Sequence, residues 1–382
     1  MKRTVFALSL MLMTLTVDAQ VKKYDVNGDG KVTVTDAMII IDAILQGNDD
    51  ATEDDVDNQR KMIFNVKENP LVSSDGAKKA AMRKAPEITT NSLSRFYINM
   101  TYYDGDFWCP QDAYLVENRY ETELITETGQ YENSGSWPST IGGDEPVNVY
   151  GYNIYYKSNV SYFDMDEETG LAFLNVSTEE SSADQRDVLV AKSTDTWKNC
   201  GGVVSLTFDH ICSALKFSVQ KTASLADYVI EVNEIKLHNI FKNGKYGLDT
   251  GNKGWYDLNT YTNFTLKAYK NGTQNAVTVT DSPQALGNGD SDYLFLIPQE
   301  IVGMEKGTAI SNADSSNPRT SYLEIQCKIH DGQGNYKVGN GNDYGPVYLP
   351  FSATLKQGHI QPYIINIGTA IRDENGNKIF NN

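Results

Sequence analysis

The sequence predicts a mainly β protein, with two β-sandwich domains in tandem and a short loop–helix module in front of them. Apolar residues alternate with polar ones in many short segments, as they do in half-buried strands. Turn-forming dipeptides separate these segments, and the chain contains 23 Tyr and 30 Gly. This pattern extends over about 280 residues, which is too many for one small sandwich, so two are expected.

Residues 1–19 are predicted to be a secretory signal peptide. Lys2 and Arg3 precede an apolar run over residues 5–17. The residues just before Gln20 are small or are acceptable before a signal-peptide cleavage site. The apolar run is shorter than the roughly 20 residues that cross a bilayer, so no transmembrane span is predicted. No cysteine stands at the cleavage site, and a bacterial lipoprotein anchor is therefore not expected.

Residues 20–48 contain the strongest chemical motif, a loop rich in side-chain oxygens that runs into an apolar helix. Counted from its first aspartate, the loop has oxygen side chains at positions 1, 3, 5 and 12, a glycine at position 6 and a backbone carbonyl at position 7. The predicted ligands are Asp25, Asn27, Asp29, Lys31 through its carbonyl, and Asp36. Calcium takes six or more oxygen ligands, so we predict that Ca²⁺ is the cofactor of this loop.

The residue that closes the loop is Asp36, where an EF-hand has glutamate. In this respect, and in leading directly into a helix predicted over residues 37–45, the segment resembles one repeat of a type I dockerin. A second repeat is missing, because the acidic residues over 48–60 do not fall in the loop register. The resemblance implies a docking module, with a cohesin-like protein as its partner.

Residues 49–85 are predicted to be a linker that is first acidic and then basic. A short strand is expected at residues 62–66, and a basic cluster follows at residues 78–84. An extended basic segment suits a trypsin-like protease. The same cluster is also explained by solubility alone, and the sequence leaves both interpretations open.

From residue 86 onward, predicted strands alternate with turns. The first strand contains Phe96, and the two sandwiches are expected over residues 86–211 and 212–382, the second including the tail. Two Asn-Gly pairs, at Asn243 and Asn271, are predicted to form two-residue hairpin turns, because both central residues of a type I′ turn need positive φ.

A series of short segments occurs in a characteristic order between residues 85 and 368. The segments are residues 85–90, 137–138, 147–152, 187–191, 204–210, 214–217, 235–240, 296–299, 358–363 and 365–367. In this order they resemble the fimbrillin family, the pilus-subunit and adhesin-like proteins of Bacteroidetes bacteria. The resemblance implies two transthyretin-like β-sandwiches in tandem.

The same resemblance implies a way of assembling. An N-terminal segment is cut away, and because the basic cluster stands just before the first sandwich strand, Arg83 is the predicted processing site. A strand of another fimbrial subunit then fills the groove that is left, which is β-augmentation. The donor strand is expected to be either the C-terminal tail, residues 371–382, or the segment around residues 62–66.

Composition argues against other functions. The formal net charge of −17 opposes a nucleic-acid partner, because phosphate binding needs a basic surface. The four histidines are far apart in the sequence and belong to no catalytic motif; they are His210, His238, His330 and His359. The protein is therefore predicted not to be an enzyme. His210 is expected to lie in the core or at the edge of a sheet. A hydrolase would need a cleft that the sequence does not reveal.

The four cysteines are scattered along the chain without the close pairs of a zinc site. Most are expected to be buried free thiols, because the domains are large enough to fold without disulfides. If one disulfide forms, Cys200 and Cys212 are the expected pair.

Two functional hypotheses remain. The first is an exported, non-catalytic surface protein of fimbrillin type, acting in adhesion or fimbrial assembly and associated with the outer-membrane surface, in fimbriae, or secreted. The alternative is a secreted glycan-binding protein that joins a complex through its dockerin-like repeat, with aromatic side chains stacking on sugars. Glycan binding that survives removal of residues 20–60 would favour the alternative.

Overall fold

The computed structural model describes residues 61–70, 72–73, 93, 95–103, 113–115, 120–125, 130–136, 144–153, 162–166, 169–270, 273–287, 293–313 and 320–380. The predicted signal peptide, the calcium loop and Arg83 lie outside these ranges. Over the ranges given, no helix is both long and apolar enough to cross a membrane. The predicted mainly β class is confirmed, because strands dominate the part of the chain that the structure describes, where the α-helix α1 (Trp197–Cys200) is a single turn.

Eight strands form the N-terminal sheet. In spatial order they are β4 (Ala113–Leu115), β3 (Arg95–Tyr103), β5 (Tyr120–Ile125), β6 (Gln130–Ser136), β1 (Lys61–Glu68), β11 (Val203–His210), β10 (Leu189–Asp195) and β7 (Val147–Tyr152). β3 also pairs with β7, which closes seven of these strands into a ring.

The N-terminal core lies inside this ring. On β11, Val204, Leu206 and Phe208 are buried while the residues between them are more exposed, which is the period of two that a strand imposes. The rings of Phe96 and Phe208 meet edge to face, with centroids 5.1 Å apart. Aromatic side chains from different strands therefore fill the centre of the ring.

Two further sheets pack face to face in the C-terminal unit. One contains β18 (Gln284–Ala285), β12 (Ser213–Lys221), β25 (His359–Ile367), β2 (Val72–Ser73) and β19 (Leu294–Leu296). The other contains β22 (Tyr336–Val338), β21 (Tyr322–His330), β13 (Val229–Gly247), β9 (Ala172–Ser177), β8 (Tyr162–Met165), β14 (Gly254–Lys267), β17 (Val277–Thr278) and β23 (Gly345–Pro350). Leu215 and Phe217 of the first sheet share a core with Leu237 and Ile325 of the second.

Two small pairs complete the unit, β15 (Tyr269–Lys270) with β16 (Thr273–Gln274) and β20 (Glu300–Ile301) with β24 (Ala353–Thr354). The C-terminal tail packs on the same core, where Ile371 is 0% and Phe380 is 7% exposed. The tail is thus part of its own sandwich.

The sheets do not follow the order of the chain. β8 and β9 precede residue 211 but pair with each other and, through β9, with β13 of the C-terminal unit. β1 and β2 lie within the predicted linker, yet β1 belongs to the N-terminal sheet and β2 to the C-terminal unit. The strand expected at residues 62–66 is confirmed by β1. The division at residue 211 stays a prediction.

The hairpin turn predicted at Asn243 and Gly244 is wrong. Both residues lie inside β13, which pairs there with β9. A Cβ atom on Gly244 would lie 2.6 Å from Leu258 Cδ2 and 3.3 Å from the Trp255 ring, so the glycine makes room for side chains of β14. At the other Asn-Gly pair, the flanking strands β15 and β16 do pair antiparallel, and the pair itself lies outside the described residues.

The expected free thiols are confirmed for the cysteines within the described ranges. Cys212 and Cys327 are buried, Cys200 is half-buried, and all three are free. The pair Cys200 and Cys212 therefore does not form a disulfide, and Cys109 lies outside the ranges given.

Candidate functional site: the groove filled by β1

β1 fills the space between β6 and β11. It pairs in parallel with β11, with Ile63 opposite Val203 and Glu68 opposite Phe208, and antiparallel with β6. Without β1, the facing edges of β6 and β11 would present unpaired backbone groups. The position of β1 is therefore that of an inserted strand, and the space it occupies is called the β1 groove below.

The inward side of β1 carries Phe64, Val66 and Glu68. Phe64 is 0% exposed and meets Phe96 edge to face, with ring centroids 5.9 Å apart, and Val66 packs on the same core. The last inward residue is Glu68, whose side chain is 1% exposed. The groove thus receives an aromatic, an aliphatic and an acidic side chain in alternate positions.

The chain that follows β1 is tied to both units. The Asn69 backbone N–H donates to the Phe208 carbonyl at 2.9 Å, and its side-chain amide donates to Asp209 at 2.7 Å. Three residues further on, the Val72 N–H donates to the Gly358 carbonyl at 2.8 Å as β2 joins β25. The segment over residues 61–73 therefore bridges the N-terminal sheet and the C-terminal unit.

Glu68 faces a buried histidine at the end of the groove. His210 is 4% exposed; its Nδ1 bonds to Asp187 Oδ2, and its Nε2 lies 3.5 Å from Glu68 Oε1. Burial works to lower the pKa of His210, but the Asp187 hydrogen bond and the charges of Asp187 and Glu68 outweigh it and raise that pKa. Burial raises the pKa of Asp187, against the effect of His210. We call His210 and Asp187 the carboxylate seat.

Comparison with known proteins gives a family for this chain. Residues 111–379 match the model of a family described as fimbrillin-like, which is more than half of the chain. The chain belongs to the fimbrillin-like family. Residues 11–61 match the model of the dockerin type I domain. No curated protein matches the chain.

Several solved structures are similar to this fimbrillin-like protein. A fimbrial protein of Bacteroides vulgatus is 15% identical, covering 82% of this chain and 98% of its own, with a TM-score of 0.49. A candidate cell adhesion protein of Bacteroides ovatus is 14% identical, covering 81% and 92%, with a TM-score of 0.40. One of Parabacteroides distasonis is 8% identical, covering 82% and 90%, with a TM-score of 0.41.

A buried aspartate holds the two units of the fimbrillin-like protein together. Asp249, which is 7% exposed, follows β13 and accepts hydrogen bonds from the Tyr150 hydroxyl at 2.9 Å and from Lys192 Nζ at 2.5 Å, both on the N-terminal sheet. It also accepts from the Ala172 N–H at 2.6 Å, on β9. A third apolar core surrounds this junction and includes Tyr246.

Replacing Asp249 with asparagine is expected to lower the free energy of unfolding by about 2–3 kcal/mol, because the Lys192 ammonium loses its buried counter-charge. Urea unfolding followed by circular dichroism measures the change. The control is Asp257→Asn, whose carboxylate is 63% exposed and lies 3.4 Å from Lys245, and which should cost less than about 1 kcal/mol. Equal effects of the two substitutions would show that Asp249 does not hold the junction.

The structure brings together only part of what the sequence predicted. The predicted calcium ligands Asp25, Asn27, Asp29, Lys31 and Asp36 and the predicted processing residue Arg83 lie outside the described residues. Among the described residues, no three His, Cys, Asp or Glu side chains are arranged to hold a metal ion.

His210 is buried as expected, but its ionic contacts were not foreseen. His238 also has an acidic partner, with its Nε2 2.9 Å from Glu324. The partnership of Glu68 with His210 was missed because it joins residues far apart in sequence. The alternation of side chains along a strand could have indicated part of it, because a period of two puts Glu68 on the same side of the strand as Phe64.

The tryptophans within the described ranges are packed rather than displayed. Trp197 is 6% exposed in the N-terminal core. Trp255 donates its ring N–H to the Ile211 carbonyl at 2.8 Å and meets Tyr246 edge to face. These two residues therefore offer no sugar-stacking platform.

Proposed function

We propose that this protein is an exported, non-catalytic subunit of the cell surface that acts in adhesion or fimbrial assembly. Membership of the fimbrillin-like family supports a fimbrial or adhesive function at the surface. The observation that carries the proposal further is β1, a strand inserted between β6 and β11 and joined to the rest of the chain by a segment that contains Arg83.

Cleavage after Arg83 would leave β1 and β2 attached to the molecule only by non-covalent contacts. If β1 then leaves, the groove exposes the edges of β6 and β11 and the rings of Phe96 and Phe208. A strand of another subunit would restore both the hydrogen bonds and the core. This is the step by which we expect subunits to join.

The C-terminal tail of this chain is a poor donor for that groove. Ile371 and Phe380 are buried in the core of their own sandwich, and the ring of Phe380 meets that of Tyr228 with centroids 5.0 Å apart. Withdrawing the tail would open a second core in order to fill the first. The donor we favour is therefore a β1-like segment of a neighbouring subunit.

An Arg-specific protease tests the assembly step. We expect protein cut after Arg83 to form larger species, because the vacated groove recruits a strand, and light scattering with native gels would detect them. The control is Arg83→Gln, which resists the cut at this position but keeps other arginines such as Arg60. Cut protein that stays monomeric at high concentration, with or without calcium, would make this a monomeric or terminal subunit.

We also propose that residues 20–48 form a calcium-dependent docking module. The match of residues 11–61 to the dockerin type I model supports this, as does the loop register of Asp25, Asn27, Asp29 and Asp36. Its partner would be a cohesin-like protein. The module would tether the β units to a surface complex without taking part in strand exchange.

A further inference from the structure

The end of the β1 groove is chemically unlike the rest of it. The groove is apolar around Phe64 and Val66, but at Glu68 it ends in two ionisable side chains, His210 and Asp187, which are 1% and 10% exposed. Buried ionisable groups are costly unless they meet an opposite charge. Asp187 pairs with Nδ1 of His210, whereas Nε2 has no hydrogen-bond partner among the described residues, so a strand that lies in this groove has to place a suitable group in front of Nε2.

We propose that His210 and Asp187 select the strand that enters the groove, by requiring an acidic side chain at the place of Glu68. The inference rests on the proposed function, in which a strand of another subunit takes the place of β1. The strand it specifies carries an aromatic, an aliphatic and an acidic residue at alternate positions, as β1 does at Phe64, Val66 and Glu68.

The charge of the imidazole explains why an amide is a poor substitute. When the imidazole is protonated, its Nδ1–H donates to Asp187, and its Nε2–H faces the Glu68 carboxylate 3.5 Å away, a contact between opposite charges that is too long to count as a hydrogen bond. A neutral glutamine in place of Glu68 would lose this attraction. When the imidazole is neutral with its proton on Nδ1, Nε2 has only a lone pair, which repels a carboxylate and accepts from an amide.

The preference should therefore depend on pH. The Asp187 hydrogen bond and the neighbouring carboxylates outweigh burial and raise the pKa of His210, so the stability that it contributes is fully present below its unfolded value of about 6.5 and is lost as pH rises through the higher folded value. The raised pKa of Asp187 acts in the same direction. Glutamate should be preferred at acidic and neutral pH, and the preference should disappear in alkaline solution.

The other ionisable groups near the carboxylate seat do not account for this pH dependence. Asp209, next to His210 on β11, is engaged with the Asn69 amide. The Cys212 thiol is fully buried, and burial raises its pKa so far that it stays neutral. A cavity of about 520 Å³ is lined in part by His210 and Asn69 and lies beside the seat.

Hydrogen–deuterium exchange of the uncut full-length protein tests the seat directly. Glu68→Gln should speed exchange of the β1 amides at least tenfold at pH 6, since it weakens a buried charge-assisted contact. Taking the ratio of variant to parent at each pH cancels the intrinsic exchange rate, and the ratio should fall below about threefold at pH 9. The control is Lys67→Gln, on the exposed side of the same strand, with a ratio near one.

A double-mutant cycle identifies the partner. In a His210→Gln background, Glu68→Gln should lose its effect, because no cation remains to be matched. Glu68→Asp, which keeps the charge on a shorter arm, should lie between Glu68→Gln and the parent. Unchanged exchange in Glu68→Gln at pH 6, or the same change in Lys67→Gln, would overturn the proposal.

A peptide competition separates this proposal from the proposed function. Protein cut after Arg83 is incubated with labelled peptides of residues 61–70 that carry either Glu or Gln at position 68, and the glutamate peptide should bind about tenfold tighter at pH 6. Equal binding of the two peptides would contradict the selection by His210 and Asp187, even if the cut protein assembles. Failure of the cut protein to assemble would contradict the proposed function, even if hydrogen exchange of the β1 amides in the uncut protein depends on Glu68.

Discussion

Phe64→Ala is expected to lower the free energy of unfolding of the N-terminal sheet by about 3–5 kcal/mol. The ring is 0% exposed and packs against Phe96, so its removal leaves a cavity between strands that cannot close without moving the ring of β-strands. Because β1 is held by its inward side chains, its amides should also exchange faster. Thermal unfolding and hydrogen exchange, read on the same samples, measure the two effects.

Lys67→Ala is the matched control for this prediction. Lys67 is exposed on the opposite side of β1, and its truncation should change stability by less than about 0.5 kcal/mol. If Phe64→Ala were no more destabilising than Lys67→Ala, β1 would not be a working part of the N-terminal core. The groove proposed for strand exchange would then have no energetic basis.

The double substitution Asp25→Ala with Asp36→Ala is expected to abolish calcium binding by the loop while the β units stay folded. It removes the first and the last carboxylate of the register, and too few oxygens remain for a hard cation. Calorimetric titration with calcium measures the loss, and circular dichroism checks the strands. The β units should be unaffected because the loop precedes β1 in sequence and supplies none of its described pairings.

Asp57→Ala is the control for the calcium experiment, because it removes an acidic side chain that lies outside the loop register. It should bind calcium like the parent. A double variant that binds calcium as tightly as the parent would place the calcium site elsewhere. A double variant that loses its β structure as well would contradict the independence of the module.

Local pattern was sufficient to predict β1 and the mainly β class, because alternation of buried and exposed side chains is a property of the strand itself. Phe96 lies in β3 as predicted for the same reason. The turn predicted at Asn243 and Gly244 does not form, because β13 continues through this strong turn signal. Pairing with both β9 and β14 keeps β13 extended there. Pairing over such separations outweighs the preference of a dipeptide.

The seat at the end of the groove was beyond sequence reasoning for a related reason. His210 and Asp187 are 23 residues apart, and His210 meets Glu68 only because β1 lies parallel to β11. A parallel neighbour leaves no short connecting turn to mark it in the sequence. The acidic residue at the end of β1 looked like ordinary linker charge until its register was known.

The order in which the strands join the sheets has a mechanical consequence. Counted over the described strands, the chain passes between the two units five times, from β1 to β2, β2 to β3, β7 to β8, β9 to β10 and β11 to β12. Tension applied to the molecule is then shared among several covalent connections between the units. No single connection has to carry the whole load. A cut between β2 and β3 severs one of these crossings, and if β1 and β2 then leave together, a second is lost and three remain to carry the load.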